Sequence, residues 1–317
     1  MRARRVVRSL GWLATLTGLA WGATRYGNSG NQLVAVPAAF VPFAIVPAVV
    51  GAGLLAGVRS RWGTAAGVLV VLLVGATQVP LYAGSPSGPV NARPLTVLTL
   101  NMEFGLADAN ALVAAAVHEG ADVVALEEMT PEALDRLNAA GMAGAFPYSI
   151  VAPGAGAGGV GLFSRHPLLG AGTAHEWVLG AVSASVDLGA GYPAPRVFAV
   201  HVPAPWPQHD GKWRAQLASI PPLLSADRRP VVMAGDFNST MDHEPFRAML
   251  RDGGLSDAAT STGAGWLRTF PADRAFPPLI AIDHVLTRGA GASEVHTVTV
   301  HGTDHRGIVA VVQVPHQ

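Results

Sequence analysis

The chain has 317 residues, of which half are hydrophobic and only 13% are charged, well below the usual quarter, and its formal net charge is zero. It contains no cysteine, which excludes disulfide bonds and thiolate metal sites. The zero net charge conceals an asymmetry. Residues 1–93 hold eight arginines and no acid, so residues 94–317 hold 13 basic and all 21 acidic side chains, a net charge of −8. Such a split predicts two parts in different surroundings.

Three apolar runs in the first part predict membrane-spanning helices. Leu33–Val58 and Trp62–Ala83 carry no charge, and both exceed the roughly 18–20 residues that a bilayer requires. Ser9–Thr24 is shorter, and a signal peptide is the alternative interpretation of its basic start and apolar core. Because two long spans follow at once, an uncleaved first helix is favoured.

Arginines predict the orientation of these helices. Four precede the first helix and two lie between the second and third: Arg2, Arg4, Arg5, Arg8, Arg59 and Arg61. Since positive loops stay in the cytoplasm, three crossings place the rest of the chain outside, with Arg25 as an exception. A Pro/Gly/Ser-rich linker follows. We therefore expect a membrane domain over residues 1–83, a linker over 84–94 and an extracytoplasmic domain over 95–317.

The second part alternates β-rich stretches with helical ones, which predicts a layered α/β sandwich. Asp108 caps a helix that ends near His118, Thr130-Pro131 begins another that Gly141 ends, and Lys212–Leu224 is a third. The predicted strands are Leu95–Met102, Asp122–Met129, Gly159–Arg165, Val197–Val202, Val231–Asp236, Ile280–Arg288, Val295–Val300 and Ile308–Val314. The glycine-rich Pro153–Gly161 lacks the Lys-Ser/Thr of a phosphate-binding loop and is predicted to be an ordinary loop.

Polar side chains gather at the ends of the predicted strands. They are Asn101, Glu127, Glu128, His201, Asp236, Asn238, Asp283, Asp304 and His305. Taken singly, each suits a turn or a helix cap. Taken together, carboxylate and amide oxygens suit a hard divalent cation such as Mg²⁺, and a histidine paired with an acid can move protons near neutral pH.

Seven of these segments, in order, resemble the endonuclease/exonuclease/phosphatase superfamily, the fold of DNase I, abasic endonucleases, inositol phosphatases and neutral sphingomyelinases. The motifs are TLNME, VVALEEM, VGLFSRHPL, AVHVPAP, AGDFNST, IDHVL and GTDHRG. The resemblance covers roughly Leu95–Val314 and implies a four-layer α/β sandwich, here preceded by three transmembrane helices.

The resemblance also implies roles for the strand-end residues. Glu128 would be the principal ligand of Mg²⁺ or Mn²⁺, with Asn101 and Asp304 nearby. The implied catalytic residues are His201, Asp236, Asn238, Asp283 and His305. Glu127 departs from the family, which commonly has glutamine there, and it either strengthens cation binding or faces away. His284 alternates away from Asp283 and is expected to be structural.

One stretch of the second part indicates the class of substrate. Gly265–Leu286 resembles a membrane-anchored branch that includes the teicoplanin-resistance membrane protein, which implies a phosphorylated lipid at the outer membrane face, such as undecaprenyl pyrophosphate. An exported nuclease and a non-catalytic membrane module are the alternatives. A domain of net charge −8 with one lysine in the whole chain disfavours a nucleic-acid partner.

Overall fold

A computed structural model describes residues 2–86, 88, 91–173, 177–207, 211–225 and 227–316. Residues 2–83 form a helical segment and residues 91–316 form an α/β sandwich. Positions 87, 89 and 90 of the predicted linker lie outside the described residues. The first strand of the sandwich begins at Arg93, inside the stretch predicted to be linker.

The helical segment contains four α-helices. They are α1 (Arg2–Ala23), α2 (Gln32–Ala39), α3 (Ile45–Gly57) and α4 (Arg61–Gln78). Helix α1 packs along α3, and α3 packs along α4. The run expected as the second span is divided, because the chain bends by 80° between α2 and the helical stretch Val41–Gly57. Pro42 follows the bend, and it lacks the N–H that a continuous α-helix would donate to the Ala38 carbonyl oxygen.

Within the described residues, one helix, Arg61–Leu81, is long and apolar enough to cross a membrane, or two are if the bent pair counts as one span. This is weak evidence for membrane association. Helix α1 carries four arginines in its first two turns, and its mean hydropathy is correspondingly low. Three spans therefore stay a prediction.

The sandwich contains two six-stranded mixed sheets, ordered β11-β12-β1-β2-β4-β3 and β5-β6-β7-β8-β10-β9. The strands of the first sheet are β1 (Arg93–Asn101), β2 (Val123–Glu127), β3 (Tyr148–Pro153), β4 (Gly159–Ser164), β11 (Gly291–Thr299) and β12 (Arg306–Val314). Those of the second are β5 (Leu168–Thr173), β6 (Ala181–Val186), β7 (Arg196–His201), β8 (Val231–Asp236), β9 (Ser256–Asp257) and β10 (Asp283–Arg288).

Helices cover the outer faces of both sheets. They are α5 (Ala109–His118), α6 (Pro131–Ala139), α7 (Met142–Ala145), α8 (Lys212–Leu224) and α9 (Glu244–Gly253). Helix α10 (Ala258–Thr262) instead packs against β10 and β11 and contributes Ala258 to the central core. Helices α5 to α7 pack on the first sheet, and α8 and α9 pack on the second. The central core lies between the sheets, where alternate residues such as Val97, Ala125, Ala199 and Ala234 meet. The predicted α/β sandwich is confirmed.

Local signals place several elements as predicted. Asp108 accepts hydrogen bonds from the backbone N–H groups of Asn110 and Ala111, and Thr130 accepts one from Ala133. Helix α8 has the predicted bounds. The glycine-rich stretch joins β3 to β4 as a loop. Strands β3, β5, β6 and β9 and helices α7, α9 and α10 were not predicted.

The helical segment is attached to the sandwich by buried polar contacts. Arg25, just after α1, forms an ion pair with Asp242, which also accepts a hydrogen bond from Gln78 at the end of α4 (3.1 Å). His243 Nε2 lies 2.9 Å from the Ala35 carbonyl oxygen of α2. Both Asp242 and His243 precede α9, so the two parts of the chain meet beside the loop that follows β8.

Candidate active site

The polar cluster forms where the apolar core between the sheets ends. Along β2, β7 and β8, the core-facing residues Ala125, Ala199 and Ala234 are each followed two positions later by a polar residue at the same edge. Strand register then fixes the neighbours. Asn101 pairs with Glu127, His201 pairs with Asp236, and Asp283 pairs with Asp236.

Gly235 allows β8 to lie close against β7. Its φ is +152°, and a Cβ at this position would lie 1.9 Å from the Val200 carbonyl oxygen. Any side chain would therefore push the two strands apart. The glycine of the AGDFN motif thus keeps Asp236 beside His201, where Oδ2 and Nε2 are 3.6 Å apart.

Asn238 turns the chain back over this pair. It adopts a left-handed conformation with a φ of 46°, which asparagine tolerates better than most residues. Its backbone N–H donates to Asp236 Oδ1 (2.7 Å), and its Nδ2 donates to the Val202 carbonyl oxygen (2.9 Å). The same Nδ2 lies 3.5 Å from His201 Nε2. These contacts bring Asp236, Asn238 and His201 together.

Glu128 lies just beyond β2 in a second left-handed turn, with a φ of 55°. Its Oε2 accepts a hydrogen bond from the Phe104 N–H (2.7 Å), and its Oε1 accepts one from Asn101 Nδ2 (3.2 Å). Asn101 Nδ2 also donates to Asp236 Oδ2 (3.1 Å), while its Oδ1 accepts from the Glu103 N–H. In this orientation Asn101 presents a donor to the carboxylates, so the amide must turn over to act as a metal ligand.

His305 is held by Asp283. Its Nδ1 lies 2.9 Å from Asp283 Oδ2, and its Nε2 lies 3.9 Å from Asp236 Oδ2 and 3.7 Å from Asp304 Oδ1. The Phe270 ring packs 5.0 Å from the imidazole. His284, the next residue on β10, faces the other way and pairs with Asp257 (2.9 Å), as its predicted structural role requires.

Burial and mutual repulsion shift the pKa values of these groups. Burial, followed by the charge of Asp283, raises the pKa of Asp236 to about 7. Burial raises the pKa of Asp304 to about 6 and lowers that of His201 to about 4. Burial alone would lower the pKa of His305, but Asp283, by charge and hydrogen bond, raises it to about 10. At neutral pH His201 is thus neutral and His305 is a cation.

The donor set fits a divalent cation. Asp236, Asp283 and His305 bring side-chain atoms within 4.8 Å of one another, but the His305 cation has no lone pair for a metal. The donors are therefore the carboxylates, including Glu128 and Asp304, which border the same cleft. Asp283 Oδ1 is buried and has no hydrogen-bond partner among the described residues. Burial also raises the pKa of Glu128, and a bound cation would offset the cost of ionising a buried carboxylate. Oxygen-rich sites of this kind suit Mg²⁺. The cluster around Asp236 differs from the ligand set that the resemblance implies, which is Glu128, Asn101 and Asp304.

Glu127 lies beneath the site and not in the cleft. It faces the core between the sheets, is fully buried, and accepts a hydrogen bond from Thr99 Oγ1 through Oε1 (3.0 Å). Burial, followed by the charge of Asp283, raises its pKa well above the usual range. The sequence suggested that this extra carboxylate either strengthens cation binding or faces away from the site. In the structure it does neither: it lies outside the cleft and faces the core between the sheets.

The cleft has a volume of about 810 Å³ and one largely apolar side. It is bordered by the polar residues Glu128, His201, Asp236, Asn238, Asp304 and His305. Its apolar lining includes Ala35, Val36, Ala39 and Phe40 of the helical segment; Pro203, Pro205 and Trp206 after β7; Phe270, Ile280 and Ile282 before β10; and Phe104, Val178 and Leu179. The stretch before β10 belongs to Gly265–Leu286, the run whose resemblance implied a phosphorylated lipid as substrate. The wall made by α2 was not predicted, because an uninterrupted apolar run gives no signal for which residues face a cleft.

Comparison with known proteins identifies the family. The chain matches the model of the Endonuclease/Exonuclease/phosphatase family over residues 98–305, more than half of its length. The chain belongs to the endonuclease/exonuclease/phosphatase family. Members of this family are mostly metal-dependent hydrolytic enzymes, and they typically use a divalent metal. Among curated proteins, none matches the chain.

Solved structures share the endonuclease/exonuclease/phosphatase fold. A family structure from Beutenbergia cavernae is 20% identical, with a TM-score of 0.53 over 70% of this chain and 72% of that one. TDP2 from D. rerio, complexed with a single-strand DNA product, is 16% identical, with a TM-score of 0.56 over 70% and 99%. Sphingomyelinase C from Streptomyces griseocarneus is 22% identical, with a TM-score of 0.50 over 69% and 99%. At these identities the likeness establishes the fold alone.

Proposed function

We propose that the chain is a membrane-anchored, divalent-metal-dependent phosphoesterase that hydrolyses a phosphorylated lipid, with undecaprenyl pyrophosphate as the leading candidate. In this proposal residues 1–83 are a membrane domain that crosses the bilayer three times, and residues 84–94 are a linker that runs into the start of β1. Residues 95–317 are the catalytic domain. The N-terminus is cytoplasmic and the catalytic domain faces the outside. A role in the cell envelope, like that of the teicoplanin-resistance branch, would follow.

One observation carries the lipid part of the proposal, namely the composition of the cleft. One side of the cleft holds the carboxylates and histidines suited to a phosphate and a metal ion, and another side holds Val36 of α2 and Phe40 just after it. A substrate with a phosphate head and an apolar chain matches both surfaces at once. A wholly polar substrate would leave the apolar wall without a partner.

The proposed chemistry divides among the chain's own groups. Asp236 orients the attacking water and helps to deprotonate it, since its pKa of about 7 suits proton transfer at neutral pH. Asn238 donates to a phosphoryl oxygen. The His305 cation, oriented by Asp283, stabilises the negative charge on the oxygens of the pentacovalent phosphorus or moves a proton. His201, neutral at this pH, contacts the phosphate or assists the leaving oxygen.

Glu128, Asp304 and, after its amide turns over, Asn101 would hold the metal. A bound Mg²⁺ or Mn²⁺ would supply charge stabilisation and water activation. The raised pKa values of Asp236 and Asp304 support a cation beside these carboxylates.

An exported nuclease is the second candidate, because the family fold also occurs in TDP2 bound to a DNA product. Charge argues against it. Residues 94–317 carry a net charge of −8, and a field of that sign repels a polyanion. A non-catalytic membrane module is the third candidate, and the presence of each implied catalytic residue argues against it.

A phosphate-release assay on the detergent-purified chain tests the proposal. We expect Mg²⁺-dependent release of phosphate from an isoprenoid pyrophosphate, loss of release with a chelator, and weak or no nicking of plasmid DNA in the same buffer. Efficient DNA nicking without release from the lipid would establish the nuclease instead. Inactivity on both, with metal binding intact, would favour the binding module.

A further inference from the structure

Five arginines converge at the end of the helical bundle that is farthest from the catalytic cleft. Arg4, Arg5 and Arg8 come from the start of α1, and Arg59 and Arg61 come from the turn between α3 and α4, some fifty positions later. Together they border a groove of about 470 Å³. A hydrogen bond from Arg4 Nη2 to the Val58 carbonyl oxygen (3.0 Å) joins the two sides.

This arginine groove has no counter-charge of its own. Residues 1–93 contain no acid, and among the described residues none of the five guanidinium groups forms an ion pair with a carboxylate. A topology signal requires only that arginines lie on the cytoplasmic side. It does not require two sequence segments to bring their charges to one concave surface, where they repel one another.

The turn that carries Arg59 is strained. Arg59 has a φ of 57°, at the position after a helix where glycine is usual. Residues held in such strained backbone conformations cluster at binding sites. Trp12 and Trp62 flank the groove, and tryptophan is enriched where a membrane meets water.

We propose that the arginine groove binds the phosphate headgroup of an anionic phospholipid of the inner leaflet. The shared chemistry is a phosphate diester surrounded by guanidinium donors, which pair with phosphate in fork geometry. Basic pockets at the cytoplasmic ends of membrane helices bind such headgroups. The 22 residues of α1 span about 33 Å, so this lipid and the substrate occupy opposite leaflets. The inference rests on the proposed membrane location and not on the proposed chemistry.

Titration of the detergent-purified full chain with cardiolipin, followed by native mass spectrometry, tests this site. We expect one tightly bound cardiolipin, no comparable binding of phosphatidylcholine, and no displacement by millimolar inorganic phosphate. Arg5→Gln and Arg61→Gln should each weaken binding about fivefold. Arg2→Gln removes the same charge from the same helix but outside the groove, and it should bind as the wild type does.

Three results would overturn the inference. If Arg2→Gln weakened cardiolipin binding as much as the groove variants do, the attraction would be diffuse. If inorganic phosphate displaced cardiolipin, the groove would be a site for free anions. Equal binding of cardiolipin and phosphatidylcholine would mean that the groove does not select an anionic headgroup. All five arginines are exposed, so the variants should fold, and unchanged thermal unfolding checks this. Phosphate release measured on the same preparations separates failure of this inference from failure of the proposed function.

Discussion

His305 and Asp283 form a buried pair in which Nδ1 lies 2.9 Å from Oδ2. The pair fixes the imidazole so that Nε2 faces Asp236 and Asp304. A second pair of equal length, His284 with Asp257, lies on the opposite face of the same strand. One strand therefore presents a candidate catalytic pair and a structural pair of the same residue types.

This duplication provides a matched control. We expect Asp283→Asn and His305→Ala to lower turnover by about 10²- to 10⁴-fold, because the imidazole loses its orientation or is removed. Asp257→Asn should lower thermal stability while leaving turnover per folded molecule within a few-fold of wild type. Single-turnover assays on folded fractions measure both. Equal losses in the two pairs would contradict the assignment of His305.

Metal affinity should depend on Glu128. Replacing it by glutamine keeps the shape and the Phe104 contact but removes a charge, so the Mg²⁺ concentration for half-maximal activity should rise by about tenfold or more. Turnover at saturating Mg²⁺ should fall much less. For Asp236→Asn we expect the reverse, a fall in turnover of orders of magnitude that added metal does not restore. A metal titration of both variants distinguishes the two roles.

The raised pKa values predict how metal and pH act together on stability. Without metal, Asp236 and Asp304 have pKa values of about 7 and 6, whereas an unfolded aspartate has one of about 3.9. The contribution of these two carboxyl groups to stability is therefore fully present below about pH 4 and is lost as the pH rises through 6 to 7. A divalent cation favours the charged carboxylates.

The increase in Tm on adding Mg²⁺ should thus be larger at pH 8 than at pH 5. Thermal unfolding with Mg²⁺ or with chelator at both values checks this. Asp236→Asn should reduce the difference, since it removes the group with the higher pKa of the two. Equal increases at both pH values would mean that these carboxylates do not face the ion.

The sequence could predict the sandwich and the polar cluster because both depend on local regularities. Alternation along β8 places Asp236 on the face of Ala234, and strand ends of one sheet share an edge, so the neighbours follow. The orientation of the Asn101 amide could not be predicted, since it depends on the Glu103 N–H across a turn. The position of the Glu127 side chain could not be predicted either, because it depends on a hydrogen bond from Thr99 on the adjacent strand.

The contact between the helical segment and the sandwich was also beyond prediction, because Arg25 and Asp242 are 217 positions apart. Arg25 was the one arginine of the helical segment that the predicted orientation placed on the outer side. Its ion pair with Asp242 neutralises that charge. Asp242→Ala should leave a nearly buried guanidinium without its counter-charge and destabilise the protein by roughly 3 kcal/mol. Thermal unfolding beside Asp135→Ala, an exposed control, measures this. An unchanged Tm would mean that the two parts do not dock as described.

The arginine distribution along the helical bundle predicts the orientation of the chain in the membrane. Six arginines lie at the end of the helical bundle that holds the arginine groove, whereas Arg25 at the opposite end is neutralised by Asp242. Unpaired positive charge thus lies at one end only, and the positive-inside rule assigns that end to the cytoplasm. A reporter that is active only outside the cytoplasm should work when fused after Gln317 and fail when fused after Ser60, and a cytoplasmic reporter should do the opposite. A strong cytoplasmic signal from the Gln317 fusion would place the cleft on the inner face, and the lipid proposal would then lose its outer-leaflet substrate.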